Sequence, residues 1–396
     1  MQFSKRVGRI QPSATLEVVQ KVNELRAKGE TIISLSAGEP STDTLLNIKA
    51  SAIEAIHEGF TRYTSVDGCM ELKEAIMRKY ERDNDLHYTP NQIIASNGAK
   101  QSIANLILAM IDKGDEVIIP SPYWVSYVEL VALAGGTPVI IESDIGHSFK
   151  ITAEQIEKAI TPKTKLFIFN NPSNPTGAYY QSTELKSMGE VLIKNPHVHI
   201  LSDDIYELLL WGPEQYTNIL NVCPDLIDRT IIVNGVSKSY SMTGWRLGYA
   251  LGPAEIVREM KKIQSQTTSC PCSISQAAAI EALETPPHKL KENIDLMHEL
   301  HDYTFKRLRA IEGIEVAPSQ GTFYILPKVT EIMKQLEIKT DIEFCNYLLE
   351  KAGVAVVPGS AFGAPGHIRI SFSTTQNDLT KAMNKIEAAL MLEKSY

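Results

Sequence analysis

Long apolar runs are missing from this chain. The longest fall far short of a membrane span, and Met1-Gln-Phe-Ser-Lys-Arg has no apolar core of the kind a secretory signal carries. A membrane protein is therefore disfavoured, and a cytoplasmic location is expected. Positive charge is also in short supply. The 39 Lys and Arg against 47 Asp and Glu leave a net charge of −8, and no block of basic residues interrupts it. Nucleic acid is thus excluded as the main partner, and no spare helix-turn-helix segment precedes the first helix. Cysteine is sparse and odd in number: Cys69, Cys223, Cys270, Cys272 and Cys345. Free thiols in a reducing compartment fit that count better than a disulfide framework. Cys270-Pro-Cys272 lacks both zinc-pair spacing and a second pair, so it reads as structural and no metal site is expected. Neither G-x-G-x-x-G nor G-x-x-x-x-G-K-[ST] occurs, which removes support for dinucleotide and P-loop readings. Internal repeats and low-complexity stretches are absent as well.

What is present is an ordinary globular balance, 43% hydrophobic and 22% charged, over 396 residues. That length is too great for one ordinary core and suits two domains. From about residue 90 to 250, short β-branched runs alternate with helical periodicity. Strands are expected at Ile93, Asp115–Pro120, Pro138–Glu142, Leu166, His199–Asp203, Ile231–Val233 and Leu247–Leu251. Between them, Ile103, Leu106, Ile107 and Met110 mark one helix, Val125–Ala134 a second and Thr152–Ile160 a third. Helices are also expected over Thr15–Lys28, Ser51–Glu58, Met70–Asn84, Glu255–Gln264 and Ser275–Leu283, with a long polar one from Pro286-Pro287 to Arg309. Strand Thr31–Leu35 lies near the start. The tail returns to mixed structure: strands at Ile314–Val316, Thr322–Leu326 and Val354–Val357, helix Asp341–Lys351, then the apolar run His367–Phe372. This alternation predicts an α/β fold with a mostly parallel sheet, and such sheets bind ligands outside the C-terminal ends of their strands.

The polar residues gather at those ends. The stretch Ile231-Ile-Val-Asn-Gly-Val-Ser-Lys238 runs from a strand into a turn that presents one lysine between Ser237 and Ser239, with Arg246 eight positions on. A lysine held on a small-residue turn between buried strands loses solvation, and its amine becomes a nucleophile for carbonyl carbon. An ordinary solvated turn is the competing reading, and spacing alone leaves both open. Gly98-Ala99-Lys100 opens a helix directly after a strand, a general way to hold a phosphate on free N–H groups and the helix dipole. Gly38, in Ser36-Ala-Gly-Glu-Pro40, allows a ligand close to the backbone. Trp124 just past a strand can stack on a flat ligand or simply fill the rim of the core. Asn174 sits in a loop stiffened by two X-Pro steps. Asp203 and Asp204 end a strand, where adjacent side chains point opposite ways, so a shared metal is disfavoured. Arg369 interrupts an apolar strand, which suggests either a structural salt bridge or a bidentate carboxylate clamp. Ser13 and Thr15 read first as helix caps, Tyr63 as a packing residue, and the His298/His301 pair as a solvated helix face.

Three strings resemble one family. Gly235-Val-Ser-Lys238, two residues, then Ser241-Met-Thr-Gly244-Trp-Arg246-Leu-Gly248 is similar to the pyridoxal-phosphate lysine segment of class I/II aminotransferases. Asn171-Pro-Ser-Asn174-Pro-Thr-Gly177 and Asp203-Asp-Ile-Tyr206 resemble two further elements of that family, with Asp204 in place of its more usual glutamate. The resemblance spans the chain from Ser13 to Arg369. It implies fold type I: a large pyridoxal 5'-phosphate domain over 47–290, a smaller α/β domain over 291–396, and an N-terminal arm and part of the small domain over 1–46. It also implies a homodimer with shared active sites. Lys238 would carry the cofactor as a Schiff base and act as general base and acid. Asp203 would meet the pyridine nitrogen, and Asn174 and Tyr206 the ring's 3-oxygen. Trp124 would stack on the ring. Gly98, Ala99, Lys100, Ser237 and Arg246, with Tyr63 from the partner subunit, would hold the phosphate region. The substrate would meet Gly38, Trp124, Asn174 and Arg369, whose fork suits an α-carboxylate.

The resemblance also bears on substrate choice. Animal-type members clamp a distal carboxylate with an arginine in the stretch matching Ile263–Ile280, which has no Arg or Lys here. A bacterial branch, similar to aspartate/prephenate aminotransferases, uses the lysine of the phosphate-loop region with the Ser and Thr of Pro12-Ser-Ala-Thr15, here Lys100, Ser13 and Thr15. L-aspartate with 2-oxoglutarate is therefore the expected pair. Prephenate, an aromatic amino acid or alanine as substrate, or a β-lyase reaction, is the alternative; Arg9 is a candidate extra contact for prephenate.

Overall fold

The computed structural model describes residues 3–212 and 215–391. Its centre is a seven-stranded sheet in the order Ile93–Ser96, Gly248–Leu251, Thr230–Gly235, His199–Asp203, Thr164–Asn170, Glu116–Ser121, Thr137–Glu142. Gly248–Leu251 runs antiparallel to both neighbours, and the remaining pairings are parallel. The near-continuous apolar strands reflect burial on both faces. In Thr164–Asn170, Leu166 and Ile168 join one apolar cluster while Phe167 and Phe169 join another. The first cluster is closed by Ile103, Leu106 and Ile107 of helix Ala99–Met110 and by Val257 and Met260 of helix Ala254–Thr267. The second is closed by Leu72 and Ile76 of helix Met70–Asn84, Leu185 and Leu192 of Ser182–Lys194, and Leu283 of Ser273–Glu284. Each such side chain contributes about 1.5–3 kcal/mol on burial, so the sheet is a stiff platform for whatever its strand ends carry.

Two smaller sheets draw on both chain ends. Ile33–Ser34 pairs parallel with Val354–Ala355, and Ile368–Ser371 lies antiparallel between Val357–Pro358 and Tyr324–Ile325. They pack against Lys291–Arg309 and Gln376–Met391 through a third cluster that also takes in Ile205, Tyr206 and Leu209. Among the described residues no helix is long and apolar enough to cross a membrane, and all five cysteines are free.

Several expected elements differ in detail. Thr31–Leu35 shrinks to two strand residues, and the helix expected at Ser51–Glu58 begins earlier, at Leu46. Ile314–Val316 forms no strand; Glu315 makes only an isolated bridge to Lys328. Val354–Val357 is divided between two sheets. Asp341–Lys351 is α-helical only to Tyr347 and widens into a π turn over Leu348–Ala352. His301, read as part of a solvated face, is buried and accepts the Ser319 N–H at Nε2, 2.9 Å. Its proton therefore sits on Nδ1, toward Asp302 at 2.9 Å. That arrangement leaves the ring no free lone pair for an ion, although His298, His301 and Asp302 lie close together.

Candidate active site

The strands Ile93–Ser96, Glu116–Ser121, Thr164–Asn170, His199–Asp203 and Thr230–Gly235 share one direction, and the loops beyond their ends line a cavity of about 270 Å³. Ile93–Ser96 passes through Asn97-Gly98 into helix Ala99–Met110, whose first turn places Ala99 and Lys100 on the cavity wall. Gly98 has φ +85°, and a Cβ there would collide with the Arg246 guanidinium, so glycine alone fits. Gly248 is required for a similar reason: a Cβ would overlap the Ala99 amide. The Lys100 Nζ lies 4.9 Å from the Trp124 ring centre. Burial, and then the nearby Arg246 charge, hold its pKa below the ordinary lysine value.

Asp203 is buried and lines the cavity. The Tyr127 hydroxyl donates to its Oδ2 at 2.5 Å. Burial lifts the Asp203 pKa to about 6, and the Tyr127 bond restrains that rise. Asp204 points away from the cavity, where Ser202 and Asn218 donate to it at 2.6 and 2.5 Å. Burial and the neighbouring Glu207 carboxylate lift it to about 8. The pleat thus separates the two acids, as the sequence led one to expect. The Tyr206 hydroxyl is 3.3 Å from that of Tyr324.

Lys238 faces the same cavity, and its amine donates to the Gly38 carbonyl. Among the described residues no carboxylate lies within ion-pair distance of it. Burial and the Arg369 charge lower its pKa to about 8. The loop beyond it holds Ser241 at φ +54° and Arg246 at φ +55°, a region few non-glycine residues occupy. Thr42 bonds the Ser241 hydroxyl and Thr44 the Ser241 carbonyl, both at 2.7 Å, and so fix the loop. Arg246 donates to the Thr243 and Asn97 carbonyls at 2.9 and 3.3 Å.

Arg369 is 2% exposed. The salt bridge that would make it purely structural is not formed among the described residues. It donates instead to Asn174 Oδ1 and the Ser36 carbonyl, each at 3.0 Å, and its Nε has no partner. Its guanidinium carbon lies 4.3 Å from the Tyr324 ring centre and 4.8 Å from that of Phe362. Ser13 occupies the N-cap position of helix Ala14–Ala27, yet its side chain makes no capping bond. The capping reading therefore fails for Ser13, and both Ser13 and Thr15 line the cavity.

Gly38, Ala99, Lys100, Trp124, Asn174, Asp203, Tyr206, Ser237, Lys238, Arg246 and Arg369 come together here, with Ser13 and Thr15. Gly98 sits behind Arg246 rather than on the wall. Tyr63 does not reach the cavity and is 90% exposed. Arg9, offered for prephenate, rests against Gly135 and does not itself line the cavity. Two lining tyrosines escaped the sequence reading. Tyr127 lies three positions past Trp124, in the first turn of the helix Ser126–Ala134 that follows it, and the two rings meet edge-on at 5.3 Å; that spacing was the available clue. Tyr324 had none. Four lining side chains are cationic, Lys100, Lys238, Arg246 and Arg369, against the one acid Asp203. Such a cavity favours an anion bearing more than one negative group.

The family model for aminotransferase class I and II matches residues 30–386. The aspartate/prephenate aminotransferase of Nitrosomonas europaea is 48% identical over 396 residues, covering 98% of this chain and 100% of that protein. The protein of the same name from Cereibacter sphaeroides is 47% identical, with 98% of each covered. Among solved structures, the aspartate aminotransferase of Rhizobium meliloti superposes with a TM-score of 0.95 at 43% identity, covering 98% of this chain and 99% of that one. The aspartate aminotransferase of Thermus thermophilus with maleate gives 0.92 at 37% identity, covering 98% and 100%.

Proposed function

The chain belongs to the class I and II aminotransferases, and on that footing we propose that it moves the amino group of L-aspartate to 2-oxoglutarate. The observation that carries the choice is a cavity with two separate grips for carboxylate. Arg369 lines it as one grip, and Lys100 with Ser13, whose hydroxyl makes no capping bond, and Thr15 lines it as the other. The names of the relatives point the same way, and maleate in the Thermus thermophilus structure is a dicarboxylate. The names also support prephenate as a second acceptor. The test is an assay of the purified enzyme with a panel of amino acids and 2-oxo acids, scoring pyruvate and ammonia release alongside. Aspartate with 2-oxoglutarate is expected to give the highest kcat/KM. Net ammonia release without transfer would instead make the enzyme a β-lyase.

The family's cofactor is pyridoxal 5'-phosphate, and the residues fit it. An amine of lowered pKa, a buried acid and a guanidinium over a helix N-terminus share one cavity. Lys238 would bond the aldehyde carbon, and Asp203 would meet the ring nitrogen. Asn174 and Tyr206 would meet the ring oxygen and Trp124 the ring face. The main-chain N–H groups of Ala99 and Lys100 at the helix start, with Ser237 and Arg246, would hold the phosphate, and Gly98 keeps the space that the Arg246 guanidinium fills. When bound, the cofactor supplies an electron-accepting ring that stabilises the charge left at the substrate's α-carbon.

The chain's own residues do the rest. Arg369 offers its fork to the α-carboxylate, with Asn174 Oδ1 fixing one arm. The Lys238 amine, its pKa lowered by burial and the Arg369 charge, would take the α-proton and return it to the cofactor's aldehyde carbon, two bonds away across the nitrogen. Asp203 must be ionised to keep a proton on the ring nitrogen opposite it. The Tyr127 hydroxyl favours that ionised form. In Tyr127→Phe the Asp203 pKa therefore rises, and activity is lost sooner as pH falls. The acidic limb of the kcat/KM profile is expected about one pH unit higher than in the wild type; an unmoved limb removes Tyr127 from the mechanism. Lys100→Ala is expected to raise KM for aspartate about 10- to 100-fold while leaving KM for alanine within about threefold. Equal effects on both substrates would dismiss the distal grip.

We also propose a homodimer with shared sites, in the cytoplasm. Helix Leu46–His57 leaves Leu46, Ile53 and Ile56 exposed, and Tyr63 stands out from its own cavity. A second copy would cover that face and receive Tyr63 at its phosphate site. The domain division we propose is a cofactor domain over 47–290, with the small domain built from 1–46 and 291–396.

A further inference from the structure

The strand Thr164–Asn170 ends in an amide that is 8% exposed. Asn170 Oδ1 accepts the main-chain N–H of Asn174 at 2.8 Å. Its Nδ2 donates to the main-chain carbonyl of Asp203 at 2.7 Å. Asn174 in turn accepts from Arg369 at 3.0 Å. One planar group therefore ties together an acid, an amide and, through the amide, a guanidinium that stand on three different elements.

The main-chain N–H of Asn171 also donates to the Asp203 carbonyl, at 3.2 Å, but among the described residues no neighbour carries that tie on to the Asn174 N–H. Asn171, the next residue, engages Tyr180 with both ends of its amide, accepting from the Tyr180 N–H at 2.8 Å and donating to its carbonyl at 3.4 Å. The internal bonds of the loop, Gly177 N–H to Ser173 carbonyl and Ser173 N–H to Ala178 carbonyl, shape the loop without joining it to Asp203. Asparagine is also chemically specific here, because the position needs an acceptor and a donor on one short planar group. Aspartate would set a lone pair against the Asp203 carbonyl, and leucine would leave the Asn174 N–H without its partner and the Asp203 carbonyl with only the Asn171 N–H at 3.2 Å.

We infer that Asn170 is a positioning residue of the active site, holding the Asn174 loop in register with Asp203 so that both side chains meet the cofactor ring together. The inference rests on the roles proposed above for Asn174 and Asp203. It is tested by reconstituting apoenzyme with pyridoxal 5'-phosphate and measuring the dissociation constant for the wild type, Asn170→Leu, Asn174→Ala and the double variant. Asn170→Leu is expected to weaken binding about tenfold in the wild type but only about threefold when Asn174 is already alanine, because part of what it aims is then gone. An equal factor in both backgrounds means general loosening and overturns the inference, as does an unchanged constant in Asn170→Leu alone. If Asn174→Ala itself binds the cofactor like the wild type, the underlying role of Asn174 fails first. Asn170→Asp serves if the leucine variant does not fold. It keeps the acceptor toward Asn174 and repels the Asp203 carbonyl, so it too is expected to weaken binding about tenfold; wild-type affinity in it overturns the inference.

Discussion

Lys238→Ala lowers turnover by about four orders of magnitude or more, since acid–base catalysis alone is worth up to about 10⁴ and this amine also makes the covalent bond. It also removes the absorbance band of the lysine-bound cofactor. The geometry explains why this amine carries both tasks. Its near partner is the Gly38 carbonyl rather than a carboxylate, and burial with the Arg369 charge lowers its pKa to about 8. A useful fraction is then neutral near physiological pH, and the neutral form is the one that attacks a carbonyl carbon or accepts a proton. Lys238→Arg keeps the charge but cannot shed it at any working pH. It is expected to be as inactive as the alanine variant, which separates a need for the amine from a need for positive charge. Steady-state rates and the visible spectrum are the measurements. Retained turnover with an unchanged spectrum in Lys238→Ala would refute the assignment.

The parts of the molecule legible from sequence are those where a local pattern has one physical solution. Met70–Asn84 is helical over the range its periodicity predicted. The strand ends that carry Lys100, Trp124, Asn174, Asp203 and Lys238 do converge on one cavity. Patterns with two solutions misled. The apolar residues near Ile314 fill a cluster edge instead of a ladder, and Val354–Val357 changes sheets midway. The helices Ser182–Lys194 and Gln376–Met391 were not anticipated at all. In the site, residues that announce themselves by charge or by an odd turn were found. Tyr127, Tyr324 and Asn170 were not, because a buried tyrosine or strand-end asparagine looks like any core residue until the fold shows what it faces. Arg369 was noticed as an intrusion in an apolar strand, but only the structure shows that no carboxylate among the described residues answers it.

That missing counter-charge leads to a prediction with opposite signs for function and stability. In Arg369→Leu, kcat/KM falls for every amino acid tested, by about 30- to several-thousandfold, the usual consequence of truncating one side of a buried charge pair. The apoprotein behaves the other way. Without substrate the guanidinium is buried beside two aromatic rings, with two hydrogen-bond acceptors and an Nε lacking any partner. Replacing such a charge by an apolar side chain of smaller volume removes a desolvation cost while leaving Asn174 Oδ1 and the Ser36 carbonyl less well satisfied. The melting temperature of the apoprotein is therefore expected to hold or rise rather than fall. Arg369→Lys restores charge without the planar fork, so it recovers only part of kcat/KM. Monocarboxylic and dicarboxylic substrates lose alike, since both present the same α-carboxylate, whereas Lys100→Ala singles out the dicarboxylic ones. A variant of Arg369 that harms aspartate and spares alanine would exchange the two grips, and with them the orientation of the substrate in the cavity.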